Sequence, residues 1–184
     1  MKKIFILIGL LIMNNMISAQ RLLPKQKGIE VNVGKLISRN PENLIVNLGL
    51  IVHSKKRNYM RYGLEYCREQ IPYKVENIAV ETITAEAGYS FNLISNRKKS
   101  LLFNSTLSGV AGYESVNHGD HVLQDGSLLM NESAFIYGAG GRLSMEIYLS
   151  DRFVLIASGK AKLLWNTSRN LFRPSASVGV RINL

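Results

Sequence analysis

The chain has 184 residues, of which 46% are hydrophobic and 20% charged, with a formal net charge of +10. That length suits one domain with a sizeable core and is short for two. A single cysteine, Cys67, excludes a fold held by an internal disulfide and reads as a small strand residue.

At the N-terminus, Lys2 and Lys3 precede an apolar run from Ile4 to Met13 that gives way to the small residues Ser18 and Ala19. This is the pattern of a secretory signal peptide, predicted over residues 1–19 with Gln20 first in the mature chain. The apolar run is roughly ten residues, against the ~20 that a membrane-spanning helix needs. No cysteine follows the cut, so lipid attachment there is excluded. Residues 20–184 are then expected to form one domain, and loss of Lys2 and Lys3 lowers the charge from +10 to +8. No later segment offers about 18 uninterrupted apolar residues, so the mature chain can cross a membrane only as strands. The cationic excess raises nucleic acid as a partner. Yet Lys55-Lys56-Arg57 and Arg97-Lys98-Lys99 fall between apolar segments, without the interleaved aromatics of a nucleic-acid platform. They read as solvated turns, and no direct nucleic-acid contact is expected.

From Gly28 onward the dominant period is two residues, the pattern of strands. Eight are predicted: Gly28 to Ile37, Asn43 to His53, Asn58 to Arg68, Ile78 to Leu93, Ser100 to Tyr113, Ala134 to Leu149, Arg152 to Trp165 and Phe172 to Leu184. Alternate side chains of a strand point to opposite faces. One face is apolar, as in Leu44, Val46, Leu48, Leu50 and Val52 of the second strand, Leu143, Met145 and Ile147 of the sixth, and Val178, Val180, Ile182 and Leu184 of the last. The other carries charges of both signs. A soluble sandwich or lipocalin-like barrel would bury the first face, whereas a membrane barrel turns it to lipid and keeps a polar lumen. The segments exceed the usual five or six residues of globular strands and match the 9–11 tilted residues that cross a bilayer. Tyr59, Tyr66, Tyr113, Phe135, Tyr148, Phe153, Trp165 and Phe172, near segment ends, would suit interfacial girdles. The expected fold is therefore an all-β, eight-stranded, antiparallel up-and-down transmembrane barrel of the outer-membrane type.

Connection lengths agree with it. Those at Ser54 to Arg57, Ile94 to Lys99 and Ser150-Asp151 are short, while Glu69 to Asn77 and Glu114 to Ser133 are longer, as periplasmic turns and outer loops should be. The end of the chain, Gly179-Val180-Arg181-Ile182-Asn183-Leu184, resembles the C-terminal signal read by the barrel-assembly machinery, with Gly179, Ile182 and Leu184 as its marks. An ordinary closing strand would use the same residues, and Leu184 stands where an aromatic is usual.

An eight-stranded barrel is just wide enough for its own side chains to fill it. The inward charges Glu30, Arg61, Glu65, Glu86, Arg142, Glu146, Lys160, Lys162, Arg173 and Arg181 are accordingly expected to pair as a structural ionic network, a proton path or small-solute channel being the sharper alternative. His118, Asp120, His121 and Asp125 carry metal-ligand chemistry but sit in a polar loop, where solvated side chains are the ordinary reading. Gly138-Ala139-Gly140-Gly141 has Leu143 where a dinucleotide pattern needs its last glycine, and it reads as strand glycine. The histidines His53, His118 and His121 stand beside no serine or cysteine in a nucleophile arrangement. Neither a cofactor nor an enzymatic activity is expected.

Several stretches resemble a known family: Arg21 to Gly28, Ala85-Glu86-Ala87-Gly88-Tyr89-Ser90-Phe91, Gly112-Tyr113-Glu114-Ser115, Phe135 to Leu143, Tyr148 to Leu155 and Phe172-Arg173-Pro174-Ser175-Ala176. They are similar to the conjugal transfer protein TraO family of Bacteroides-type conjugative transposons, over the whole mature chain. The resemblance implies an outer-membrane accessory or structural part of a DNA-transfer apparatus, with other conjugation proteins as partners beside outer-membrane lipid and the assembly machinery. It transfers no catalytic residue. The alternatives are a surface binding barrel using the loop Glu114 to Ser133, and a lipid- or peptide-modifying barrel enzyme.

Overall fold

The computed structural model describes residues 25–38, 43–54, 57–73, 76–97, 100–117 and 133–184. The expected signal peptide, and the loop residues His118, Asp120, His121 and Asp125, lie outside them. Period-two segments fold as eight strands: β1 (Lys27–Leu36), β2 (Asn43–His53), β3 (Tyr59–Tyr73), β4 (Glu76–Ser95), β5 (Leu101–Val116), β6 (Ala134–Tyr148), β7 (Phe153–Trp165) and β8 (Phe172–Asn183). Each pairs antiparallel with its sequence neighbours, and β8 returns to β1 to close the barrel. Closure removes the unpaired edges that would otherwise template aggregation. At the seam Ile29 faces Ile182 and Glu30 faces Arg181.

The pleat sends the apolar positions outward. Leu48 (53% exposed), Leu107 (66%), Leu143 (63%) and Val178 (67%) ring the barrel, while Glu30, Glu146 and Arg181 inside it are wholly buried. In water this inversion would forfeit about 1.5–3 kcal/mol for each large apolar side chain left exposed. Against hydrocarbon the same belt is satisfied, as in outer-membrane barrels. Small apolar clusters help to fill the interior, one of Leu102, Tyr148, Val154 and Ile156 and another of Val110, Ile136 and Leu164.

Two expectations need correction. The segment Glu69 to Asn77 is mostly sheet, because β3 and β4 stay paired from Glu69↔Val80 to Tyr73↔Glu76. Arg68-Glu69-Gln70 and Pro72 interrupt the apolar alternation and so read as a loop. The outward positions Arg68 and Gln70 are polar here, so the lipid-side alternation ends, while the ladder and the packing of Ile71 on the buried Ile78, Val80 and Val116 hold the hairpin. The flanking strands stop on one rung, β2 at Asn43 opposite Glu69 and β5 at Val116 opposite Val80, which is itself paired with Glu69. Among the described residues the β3–β4 hairpin therefore rises alone above its two neighbours at this end. Secondly, Tyr59 and Tyr148, 1% and 3% exposed, lie inside the lumen and not in a girdle. Each is two residues from a luminal charge, Arg61 and Glu146, and shares its face.

Gly138 and Gly140 of the glycine run also face inward, in phase with Arg142. A Cβ on Gly138 would stand 2.0 Å from the Leu163 carbonyl oxygen, so this residue admits the close approach of β7.

Candidate functional site in the barrel lumen

Strands that place a charge at every second or fourth residue on one face, once closed into a barrel, aim those charges at one another. The ten luminal residues singled out in the sequence all point inward, and they form tiers along the axis.

The tier nearest the chain termini centres on Arg181. Its guanidinium donates to Glu30 Oε2 from Nε (3.2 Å) and Nη2 (2.8 Å), and to Glu146 from Nη1 and Nη2 (2.9 Å each). Tyr59 donates its hydroxyl to Glu146 at 2.7 Å, and its ring lies 4.8 Å beneath the guanidinium. Glu30 also receives Arg142 Nη1 at 2.8 Å and Arg61 Nε at 3.4 Å, so three arginines converge on one carboxylate. Arg61 then bridges upward to Glu86 at 3.2 Å and donates sideways to Asn47. Gly63 makes room for it, since a Cβ there would lie 2.8 Å from Arg61 Nη1.

In the middle tier two lysines from β7 meet two glutamates from β3 and β4. Lys160 reaches Glu65 (2.6 Å) and Glu86 (3.0 Å), and Lys162 reaches the same pair at 2.6 Å each. Thr84 accepts a further bond from Lys162 at 3.0 Å. These charges are removed from water and mutually satisfied, the condition under which buried ions are tolerated.

Arg173 stands apart from the other nine. It pairs with Glu114 at 2.5 Å near the far rim, where Glu114 also accepts from Thr167 and from the Ser168 hydroxyl and N–H. Arg169 joins this tier by holding Glu69 at 3.0 Å. Sequence reasoning assigned Glu69 and Glu114 to outer loops and missed them. The signal was the unbroken alternation Val110, Gly112, Glu114, Val116, all in the luminal phase.

On the closing strand, Ile182 points outward opposite Ile29 and Phe153, and Leu184 extends the seam by donating its N–H to the Lys27 carbonyl at 2.8 Å. Gly179 faces inward, and a Cβ on it would stand 2.2 Å from Asn32 Oδ1 and 2.3 Å from the Val31 carbonyl oxygen. Cys67 is buried on the luminal face of β3. His53 is buried too, edge-on to Tyr59 at 5.7 Å between centroids. Among the described residues no three His, Cys, Asp or Glu side chains are grouped to hold a metal ion.

Solved structures with this architecture include Neisserial surface protein A, 15% identical over 86% of this chain and 97% of that one, with a TM-score of 0.56. Ail, the attachment invasion locus protein of Yersinia pestis, is 10% identical over 88% of this chain and all of its own (100%), with a TM-score of 0.57. A second structure of Ail, in complex with the heparin analogue sucrose octasulfate, is 12% identical over 86% of this chain and 95% of that one, with a TM-score of 0.52. Identities this low carry the fold and nothing more. No curated protein matches the sequence significantly. The family described as "Conjugative transposon protein TraO" matches residues 23–184, so the chain belongs to the conjugative transposon protein TraO family.

Proposed function

We propose that the chain is a non-enzymatic anchoring component of a conjugative mating apparatus, exported by its signal peptide and inserted into the outer membrane through the barrel-assembly machinery. The observation that carries this reading is a lipid-facing apolar belt around an interior closed by ion pairs of 2.5–3.4 Å. Such a barrel holds a fixed place in a bilayer yet offers no path for a DNA strand, since an eight-stranded lumen is filled by its own side chains. Its role in transfer is then to position other proteins. The network of Glu30, Arg61, Glu65, Glu86, Arg142, Glu146, Lys160, Lys162, Arg173 and Arg181 makes the anchor rigid, and Gly179, Ile182 and Leu184 serve its assembly. Partners on this reading are outer-membrane lipid and other conjugation proteins, with no direct contact to DNA. The saturation of each carboxylate by cations or hydroxyls supports a structural role over turnover.

Deleting the chain from a donor strain should abolish transfer, and supplying it in trans should restore it. Co-purification from cross-linked outer membranes should recover other transfer proteins. Recovery as a soluble periplasmic monomer would overturn the membrane placement; undiminished transfer without the chain would overturn the conjugative role. A second reading, recognition of a surface on the recipient cell, is favoured by the β3–β4 hairpin that rises above its neighbouring strands. Removing residues 118–132 separates the two: an anchor keeps transfer, whereas a recognition device loses it with insertion intact.

A further inference from the structure

Counted with histidine neutral, the two lower luminal tiers hold five cations, Arg61, Arg142, Arg181, Lys160 and Lys162, against four carboxylates, Glu30, Glu65, Glu86 and Glu146, among the described residues. The rim tier is balanced, Arg169 and Arg173 against Glu69 and Glu114. One positive charge is thus left over in a low-dielectric interior, where an uncompensated ion costs several kcal/mol.

Its location is legible. Arg142 is 4% exposed and gives Nη1 to Glu30, while its Nε and Nη2 donate to nothing among the described residues. The wall beside it is rich in idle polar groups. In the pairing register Ser90 faces Thr106 and Thr106 faces Arg142; one step along, Asn104 faces Ser144. The hydroxyls of Ser90, Thr106 and Ser144 and the Asn104 amide nitrogen are all buried without a partner. Asn104 commits its oxygen to Asn92 at 2.9 Å, which leaves its NH2 as a donor. The carboxylate that follows Ser144 on this face of β6, Glu146, is already taken by Arg181, Tyr59 and Tyr148. A guanidinium edge, an amide NH2 and three hydroxyls make a donor-rich patch with one charge to spare.

We propose that this patch binds a compact monovalent anion of the halide class, held by Arg142 Nε and Nη2 and by the hydroxyl of Thr106, which faces Arg142 across the β5–β6 ladder, with further donors drawn from Ser90, Asn104 and Ser144. A small sphere accepts from a guanidinium and several hydroxyls at once, and it neutralises the interior without a fifth carboxylate. A tetrahedral oxyanion would need more width than a lumen filled by side chains leaves.

Bromide is the probe. Crystals of the folded mature barrel grown with bromide should give an anomalous peak at hydrogen-bond distance from Arg142 Nε or Nη2, lost in Arg142→Met. In detergent, with bromide replacing gluconate at fixed ionic strength, the folding constant from urea unfolding should rise about tenfold for each tenfold rise in bromide beyond saturation. Thr106→Val, which keeps size and fold, should raise the bromide concentration at which that rise sets in by roughly tenfold, the share of one hydrogen bond to an ion. If Arg142→Met fails to fold, Thr106→Val alone decides the matter. No peak at Arg142, a folding constant indifferent to bromide, or an unchanged response in Thr106→Val would each overturn the assignment.

Discussion

Replacing Arg181 with methionine removes the side chain on which the lower tier depends. It is wholly buried, and it gives two bonds to Glu30 and two to Glu146. The two carboxylates do not lose equally. Glu30 keeps Arg142 at 2.8 Å and Arg61 at 3.4 Å, whereas Glu146 keeps, among the described residues, the hydroxyls of Tyr59 at 2.7 Å and Tyr148 at 3.3 Å and no cation. A stranded buried charge costs about 3–5 kcal/mol, and that is the destabilisation expected for Arg181→Met. Glu146→Gln alone should cost about 1–3 kcal/mol, because Arg181 still pairs with Glu30. With both changes the stranded charge is gone, so the double variant should be more stable than Arg181→Met, with a coupling of about 2–3 kcal/mol. The assay is urea unfolding in lipid vesicles, read by the heat-modifiable gel shift and by Trp165, which faces outward as a reporter of lipid contact. A loss under ~1 kcal/mol for Arg181→Met, or strictly additive losses, would refute the reasoning.

Leu143→Arg places a charge on the lipid face of β6 and should cost about 2–4 kcal/mol in vesicle unfolding, while the inward Ser144→Ala stays under ~1 kcal/mol; equal costs would mean that the faces are misassigned. Gly179→Ala forces a Cβ against Asn32 and Val31 and should destabilise the folded barrel by about 1–3 kcal/mol, whatever its effect on targeting. Deleting Ile182 to Leu184 should leave the chain exported but not inserted, and Leu184→Phe should insert at least as well as the wild type. Normal gel-shift behaviour of the deletion would remove the case for a C-terminal assembly signal. Cys67, 7% exposed, should resist maleimide in the folded barrel and label fully in urea.

Where lipid and lumen compete for alternate residues, the sequence is read easily, because one wrong phase would bury Leu143 and expose Arg142. β2 is found with its predicted ends, Asn43 and His53, for that reason. The reading weakens where the bilayer stops. Beyond Arg68 the outward positions turn polar and the buried inward Glu69 is itself charged, so Glu69, Gln70 and Pro72 look like a loop although their backbone is in a ladder. The same blindness hid Glu114, whose luminal partner Arg173 lies 59 residues away. Composition gave the signs of the luminal charges but not the pairing among them, which depends on how far each side chain reaches across the barrel. Tyr59 illustrates the limit: an aromatic near a strand end fits a girdle by type, and only its phase with Arg61 betrays its luminal position.

The ties across the lumen also have a bearing on how the chain closes. Arg181 and Glu30 are 151 residues apart, Arg142 and Glu30 are 112, and Lys162 and Glu65 are 97. Contacts so distant in sequence reward the chain only after most of the barrel has formed. The seam between β1 and β8 therefore reads its own alignment. A slip of one residue turns Arg181 toward lipid, and a slip of two sets it against Gly28 or Asn32 in place of Glu30. Either error strands carboxylates in a dry interior, so a misaligned barrel is driven to reopen. The same ion pairs that fill the finished barrel act, at the last step of folding, as a proofreading lock.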